Sequence, residues 1–428
     1  MSLSFFWIFL FLLFAGMPMF FALLVGPALS LLMDGEGRFF AAILSRFYNG
    51  IDSFPLMAVP FFILAGEVMN AAGITRKLVE FAQAMIGHLR GGLAQMNILS
   101  SLLFAGISGS AVADTSALGK VFVPAMAQGG YSQRFAAAVT AASSVIGPII
   151  PPSGIMILYA FVMNVSVGGL FAAGLVPGVL VTAGLFAVTS ILSKLRGYPK
   201  AQHRASWGER LSAARRTALA LFTPVILLGG ILAGIFTPTE SAAVAAGYAL
   251  FIGLFVHRTL KFADLPAIFK SAAVQSGVVL MLVGAAVTFS WIVTVSGLAA
   301  TLTQILSTIS NDVFLMLLLL NIFLLIIGMV LDAGPAILIL GPLLAPIFIK
   351  LGIEPLHFAI VMCVNVTVGL ATPPMGLVLF VASTVSEERV EVIAKEMLPF
   401  LAVEIAVIFL VTYFPVLTMT LPRLLGFA

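Results

Sequence analysis

The amino-acid sequence predicts an all-α membrane protein that crosses the bilayer many times. Of its 428 residues, 61% are hydrophobic and only 9% are charged, whereas about a quarter of the residues of a soluble domain carry charge. The mean hydropathy is +1.18. Apolar runs long enough to span a bilayer, about 20 residues each, recur along the chain. These runs are continuous, without the alternation of a membrane β-barrel.

The candidate spans are distributed over the whole chain. The first has no cationic region and no evident cleavage site, so we expect a retained helix and not a signal peptide. The single cysteine, Cys363, lies in an apolar run and predicts neither a disulfide framework nor a cysteine metal site. The spans lie near 4–32, 54–73, 95–125, 135–163, 168–192, 217–235, 240–257, 274–296, 313–331, 335–350, 356–384 and 397–421.

A polar segment near the middle of the chain carries a cluster of positive charge. By the positive-inside rule this loop is expected to be cytoplasmic, and a second basic cluster follows at Arg258 and Lys261. The net charge of +4 is no signature of nucleic-acid binding. The loop contains Lys194, Arg196, Lys200, Arg204, Arg210, Arg215 and Arg216.

The basic loop separates two halves that match each other at a constant offset, which places Gly106 on Gly328. Glycines and prolines that coincide over about fifty residues indicate a duplication, because these residues mark turns and breaks of the backbone. Before Gly106 the offset between the two halves is no longer constant. We therefore predict a first half at 1–193, the basic loop at 194–216 and a second half at 217–428. The further matched pairs include Gly147 with Gly369, Pro151-Pro152 with Pro373-Pro374, and Gly154 with Gly376.

Each half contains an interrupted apolar run followed by a helix broken at a proline pair. Hairpins are predicted at about 95–125, with the tip GISGSA, and at about 328–350, with the tip MVLDAGPA. Broken helices are predicted at about 135–163 and 356–384, because a proline pair cannot sit in an intact helix. Hydropathy leaves open whether 95–125 and 313–350 are hairpins or two spans each. Paired breaks in two halves point to a transport site.

The broken segments offer ligands for a cation and an anion. Carbonyls, hydroxyls and carboxylates suit sodium, whereas the amides of helix N-termini suit anions. Two cation sites with an anionic substrate between them follow as a hypothesis, although small residues in membrane helices more often serve packing. Asp114 could instead cap a helix, and Glu67 could pair with a cation or bind a proton. The tips supply Ser108, Ser110, Asp114 and Asp332, and the breaks supply Ser143, Ser144, Ser153, Asn365, Thr367 and Thr372.

Other functions fit the sequence less well. The GxSG pattern at 106–109 is typical of an intramembrane serine protease, which needs a histidine beside the serine. The four histidines, His88, His203, His257 and His357, lie in or beside polar loops or at a helix start. A P-loop near Lys120 would need glycine where Asp114 stands. Proton coupling through Asp332, Glu67 or Asp114, or a channel, remains an alternative to sodium coupling.

The segments SGSAVADTSALG, IGPIIPPSG, GIFTPTESAAVAA, GMVLD and GLATPPMG, in this order, resemble the large membrane subunit of TRAP (tripartite ATP-independent periplasmic) transporters. The resemblance covers nearly the whole chain. It implies an inverted-repeat elevator transporter of the ion-transporter superfamily, in a bacterial inner membrane, that uses sodium to take up an organic acid anion. It also implies two partners: a separate four-helix membrane subunit and a soluble periplasmic binding protein. The anion would be a C4-dicarboxylate, sialic acid, or a keto or sugar acid.

The resemblance also implies roles for individual residues. Ser108, Ser153 and Asp332 would face the substrate. One sodium site would involve the first tip and break, through Ser110 or Ser108 with the backbone around Ser153. The sodium-site residues that the resemblance implies are Ser110, Gly147 and Ile150 in the first half and Gly328, Gly369, Thr372 and Met375 in the second.

Overall fold

The computed structural model describes residues 4–200, 205–298, 300–302, 304 and 312–427, and in this part of the chain nearly all of the backbone is helical. The prediction of an all-α membrane protein is confirmed. The helices of the first half are α1 (Ser4–Phe14), α2 (Met19–Met33), α3 (Phe40–Ile51), α4 (Ala58–Ala71), α5 (Ile74–Ile86), α6 (Gly92–Ser108), α7 (Ala111–Gln128), α8 (Gln133–Ser144), α9 (Ile146–Ile149), α10 (Gly154–Met163) and α11 (Val167–Leu195).

The second half follows the basic loop. Its helices are α12 (Trp207–Leu232), α13 (Pro238–Phe251), α14 (Leu265–Ser296), α15 (Val313–Val330), α16 (Ala333–Lys350), α17 (Pro355–Gly369), α18 (Leu377–Ser386), α19 (Val390–Tyr413) and α20 (Val416–Leu424). A π-helical segment, Ile252–Val256, continues α13. Among the described residues, seven helices are long and apolar enough to cross a membrane, or up to nine if two bent pairs each form one span.

The helices pack as two groups. In the first, α4 packs against α13 and α14, while α14 also contacts α2 and α3. In the second, α6 packs against α7 and α8, and the two halves of the chain interlock where α18 contacts α7 and α16 contacts α10. The contacts of α5 with α6 and of α14 with α16 connect the groups. The tips and breaks of both halves lie in the second group.

The helix boundaries repeat at the offset found in the sequence. Helix α7 runs from 111 to 128 and α16 from 333 to 350, so the two helices begin and end at equivalent positions of the two halves. Helices α8 and α17 begin at 133 and 355, which are again equivalent positions. Both proline pairs are joined by cis peptide bonds. The two halves therefore share local structure as well as sequence, while their inverted orientation stays a prediction.

Two expectations need correction or refinement. The region 4–32, expected as one span, contains two helices that pack against each other. Gly16 adopts a left-handed conformation between them (φ 85°), and Pro18 precedes α2. The two predicted hairpins also differ. Helices α6 and α7 pack against each other, whereas α15 and α16 have little mutual contact: α15 lies mainly against α17, and α16 lies mainly against α10 and α17.

Candidate functional site

The first tip is a short turn, Gly109 and Ser110, between α6 and α7. Gly109 ends α6 in a left-handed conformation (φ 60°), which glycine adopts without strain. Ser110 caps α7, because its Oγ accepts a hydrogen bond from the backbone N–H of Ala113 at 3.4 Å. Asp114 follows in the first turn of α7, where the helix dipole favours a negative charge.

The first break separates α9 from α10. Ile150 and Ser153 have extended backbones, and the proline pair lies between them. The Ser153 hydroxyl donates to the carbonyl oxygen of Pro148 at 2.6 Å. A Cβ placed on Gly109 would lie 3.3 Å from both the backbone nitrogen of Gly154 and the carbonyl oxygen of Pro152. The first tip therefore rests on the first break, and the N-termini of α7 and α10 meet there.

Asp114 is the polar centre of this junction. Its side chain is fully buried, and Ser108 Oγ donates a hydrogen bond to Oδ1. Its Oδ2 has no hydrogen-bond partner in the described protein, and this oxygen lies directly over the backbone of Gly147. A buried carboxylate without compensation is costly. A free carboxylate oxygen among hydroxyls and carbonyls is the type of ligand that a hard cation prefers, so the residues present fit sodium.

The predicted first-half residues partly converge on Asp114. Ser108, Ser110 and Gly147 all lie beside it, since a Cβ on Gly147 would also be 3.8 Å from the carbonyl carbon of Ser110. The Ile150 side chain packs instead against Gly178 of α11. The sequence alone leaves two roles open for Asp114, helix capping and ligand binding. Its position in the first turn of a helix that follows a polar tip is the sequence feature that points to the site.

The second tip repeats this arrangement with a different side chain. Leu331 has an extended backbone after α15, and Asp332 caps α16 by accepting a hydrogen bond from the N–H of Ala333 at 2.9 Å. Asp332 is the equivalent of Ser110 in the second half, so both tips use the same capping position. The Asp332 side chain is exposed at the surface of this single chain. No hydrogen bond links it to the other predicted substrate residues in the described structure, and its substrate role stays a prediction.

The second break lies at the closest approach of two helices. A Cβ on Gly369 would be 2.6 Å from Gly328 Cα, and one on Gly328 would be 2.5 Å from the carbonyl oxygen of Val366. Gly328 and Gly369 are thus brought together as backbone against backbone. The Thr372 hydroxyl donates to the carbonyl of Val368 at 2.8 Å. Met375 follows the proline pair of this break and is 54% exposed.

Buried polar side chains join helices behind each break. Ser101 of α6 bonds Ser143 of α8 at 2.8 Å. In the second half, Asn365 Nδ2 donates to Asn321 Oδ1 at 2.9 Å, and Thr412 Oγ1 donates to the same oxygen at 3.1 Å. Ser143 and Asn365 occupy equivalent positions in the two halves. The sequence suggested both of them, but Asn321 was missed because it lies within an otherwise apolar run.

The remaining candidate carboxylate, Glu67, has a partner away from both tips. Gln275 of α14 donates a hydrogen bond to Glu67 Oε1 at 2.8 Å. This pair joins helices of the first packing group, and Gln275 is not one of the candidate site residues.

The geometry of Ser108 does not fit a serine protease. Its hydroxyl is bonded to Asp114, and His357 instead bonds Thr418 Oγ1 and the carbonyl of Thr412. His203 lies outside the described residues. Within the described part of the chain, no histidine is hydrogen-bonded to Ser108.

Known proteins similar to this chain belong to one family of membrane transporters. Residues 6–417 match the family model described as "Tripartite ATP-independent periplasmic transporter, DctM component". The chain is 41% identical over 417 residues to the sialic acid TRAP transporter large permease protein SiaM of Vibrio cholerae, covering 96% of both chains. It is 38% identical over 395 residues to the C4-dicarboxylate TRAP transporter large permease protein DctM of Rhodobacter capsulatus, covering 89% of this chain and 90% of the relative.

A solved structure shows the same fold at low sequence identity. The crystal structure of the Alcanivorax borkumensis YdaH transporter superposes with a TM-score of 0.65 and 17% identity, over 89% of each chain. The relatives named above are transporter permeases, so the chain is not an enzyme, and the resemblance found in the sequence is confirmed. This multi-pass membrane protein belongs to the DctM family, the large permease subunits of tripartite ATP-independent periplasmic transporters.

Proposed function

We propose that this chain performs sodium-coupled uptake of an organic acid anion across a bacterial inner membrane. The observation that carries the proposal is the buried Asp114 carboxylate where the first tip meets the first break, because its Oδ2 has no hydrogen-bond partner among the described residues. A sodium ion at this oxygen would compensate the buried charge and hold the tip against the break. The candidate ligands are the Asp114 carboxylate, the hydroxyls of Ser108 and Ser110, and the backbone at Gly147.

A second sodium site is proposed at the crossing of α15 and α17. The close approach of Gly328 to Gly369 supports it, because glycine leaves the two backbones in direct contact and the carbonyl oxygen of Val366 faces Gly328. Thr372 follows within the break, and its hydroxyl donates to Val368. Met375 would contribute only through its backbone, since its side chain is exposed.

The substrate is proposed to be a carboxylate-bearing anion such as sialic acid, a C4-dicarboxylate, or a keto or sugar acid. Two relatives are named as permeases for sialic acid and for C4-dicarboxylates. The N-termini of α7 and α10 meet at the first site, and helix N-termini attract anions. Ser108 and Ser153 lie at this junction. Asp332 would act in the substrate cavity from the second tip.

The chain is proposed to work with two partners. A small four-helix membrane subunit would pack on the first helix group, and a soluble periplasmic binding protein would deliver the anion. The second group, which contains both tips and both breaks, would slide as an elevator against the first. Sodium release into a sodium-poor cytoplasm would loosen the tips and free the substrate.

The test is uptake by proteoliposomes that contain this chain with its small subunit and binding protein. Radiolabelled sialic acid and succinate serve as probes, with an inward sodium gradient or an inward pH gradient. We expect a sodium gradient to drive accumulation of one probe. Asp114→Asn should abolish it, while Glu67→Gln, a matched change outside the site, should leave it intact. Accumulation driven by a pH gradient without sodium would replace sodium coupling by proton coupling.

A further inference from the structure

A cavity of about 760 Å³ lies at the edge of the basic loop. Four segments line it: helix α5, the start of α6, the N-terminal part of α12, and the residue that follows the π-helical end of α13, His257. None of the residues assigned above to substrate or sodium lines this cavity. It is therefore separate from the candidate transport site.

The cavity concentrates basic side chains. Lys77 of α5 and the neighbouring Arg215 and Arg216 of α12 carry positive charges, and two histidines add to them when protonated. Two carboxylates also line it. One of them, Glu209, already accepts a hydrogen bond from the backbone N–H of Ser206 at 2.7 Å as part of a helix cap. The excess of positive charge favours an anionic ligand.

The pKa values of His257 and Lys77 reflect the burial and the charges around the cavity. Burial, followed by the positive charge of Lys77, lowers the pKa of His257. Burial likewise lowers the pKa of Lys77, against the opposing effect of Glu80. The charge of Lys77 therefore reaches His257 across the cavity, and an anion placed beside both groups would favour their protonated forms.

The surroundings of the cavity are those of a membrane boundary. The apolar span that contains α13 ends at Val256, immediately before His257. Trp207 at the start of α12 is 82% exposed, and tryptophan is enriched where membrane meets water. Large apolar side chains continue from the cavity along α12 and α13. Phe222, Phe251 and Phe255 are each more than half exposed.

We infer that this cavity binds the phosphate group of an anionic phospholipid, whose acyl chains lie along the exposed face of α12 and α13. The basic side chains match a phosphate. Inorganic phosphate offers the same oxygens, but it would make no use of the adjoining apolar surface. A zwitterionic lipid offers the acyl chains, but its headgroup carries a positive charge into a cationic cavity.

Native mass spectrometry of the chain, purified in detergent, tests this during titration with phosphatidylglycerol, phosphatidylcholine or inorganic phosphate. We expect phosphatidylglycerol to bind more tightly than phosphatidylcholine. The double variant Lys77→Gln/Arg216→Gln should weaken phosphatidylglycerol binding roughly twenty- to thirty-fold, because each basic residue near a lipid surface contributes about fivefold. Lys270→Gln removes an exposed lysine that does not line the cavity and should change nothing.

Three results would overturn the inference: equal affinity for the two lipids, a double variant that binds as the original chain does, or phosphate bound in the cavity without phosphatidylglycerol binding. If the double variant is not monodisperse, Lys77→Gln and Lys77→Arg decide instead. The first should weaken phosphatidylglycerol binding about fivefold and the second should not. Equal losses in both would point to packing and contradict a charge-based site.

Discussion

Gly147→Ala adds one methyl group where the first broken helix faces Asp114. The added carbon would lie 3.3 Å from Asp114 Cγ. Its distance to Asp114 Oδ2 would be below 3.0 Å, which Cβ atoms essentially never show. The carboxylate must therefore shift by roughly 1 Å from the position in which it faces the backbone. Overpacking of this kind costs about 1–3 kcal/mol.

The ion-bound state should bear most of this cost, because a carboxylate that ligates sodium cannot swing away. The sodium dissociation constant should then rise roughly 5- to 150-fold, since 1.4 kcal/mol corresponds to a factor of ten. The assay is the unfolding midpoint of the purified chain in sodium chloride and in potassium chloride at equal ionic strength. At 100 times the original dissociation constant, sodium should stabilise the original chain by about 2.7 kcal/mol, and a tenfold weaker variant by about 1.4 kcal/mol.

Gly154→Ala is the matched control, because a Cβ at Gly154 would meet no atom within 4 Å. Both changes restrict the unfolded chain in the same way, so only the contact with Asp114 distinguishes them. If Gly147→Ala keeps the full sodium-dependent stabilisation, Asp114 is not a sodium ligand at this place. Equal losses in both variants would show that helix α9–α10 responds to any added methyl group and would also refute the reasoning.

Three further predictions concern other parts of the molecule. Gly369→Ala should lower the unfolding free energy by about 1–3 kcal/mol, because its methyl group would meet the Gly328 backbone. The control Gly334→Ala should cost far less, since the nearest contact of its methyl group would be a side chain at 3.8 Å. Equal unfolding midpoints of the two variants would refute the close crossing. Asp332→Ser should abolish uptake by proteoliposomes although it keeps the helix cap, and normal uptake would assign Asp332 to capping alone. Since the pKa of His257 is lowered, the folded chain binds fewer protons there than the unfolded chain, and stability falls as the pH drops through the ordinary histidine range. His257→Gln should therefore reduce the fall of the unfolding midpoint between about pH 7.5 and 5.5, and an unchanged profile would contradict the cause given.

Much of the fold could be predicted because it depends on local chemistry. Two proline pairs interrupt their helices wherever they stand in the chain, and Gly109 permits the left-handed residue that the first tip requires. The region 4–32 was mistaken for one span because hydropathy averages over the short turn from Gly16 to Pro18. That turn leaves the apolar character of the segment unchanged but reverses the chain.

The site was less accessible to sequence reasoning because it depends on approach between distant segments. Asp114 Oδ2 faces the backbone of Gly147, which belongs to a later helix, and only the folded chain brings these two positions together. Asn321 pairs with Asn365 because α15 packs on α17. No local sequence pattern predicts this contact. The cavity around Lys77 and His257 joins residues from different halves of the chain, and only the folded chain brings their charges together.

Ser110 and Asp332 occupy the same capping position in the two halves, and this has a consequence for the evolution of the protein. Serine and aspartate start a helix almost equally well. After a duplication, one copy of the tip could therefore gain a negative charge through replacement of a single residue, while its helix kept the same beginning. The capping position is thus a place where the two halves can diverge in electrostatics and stay alike in shape.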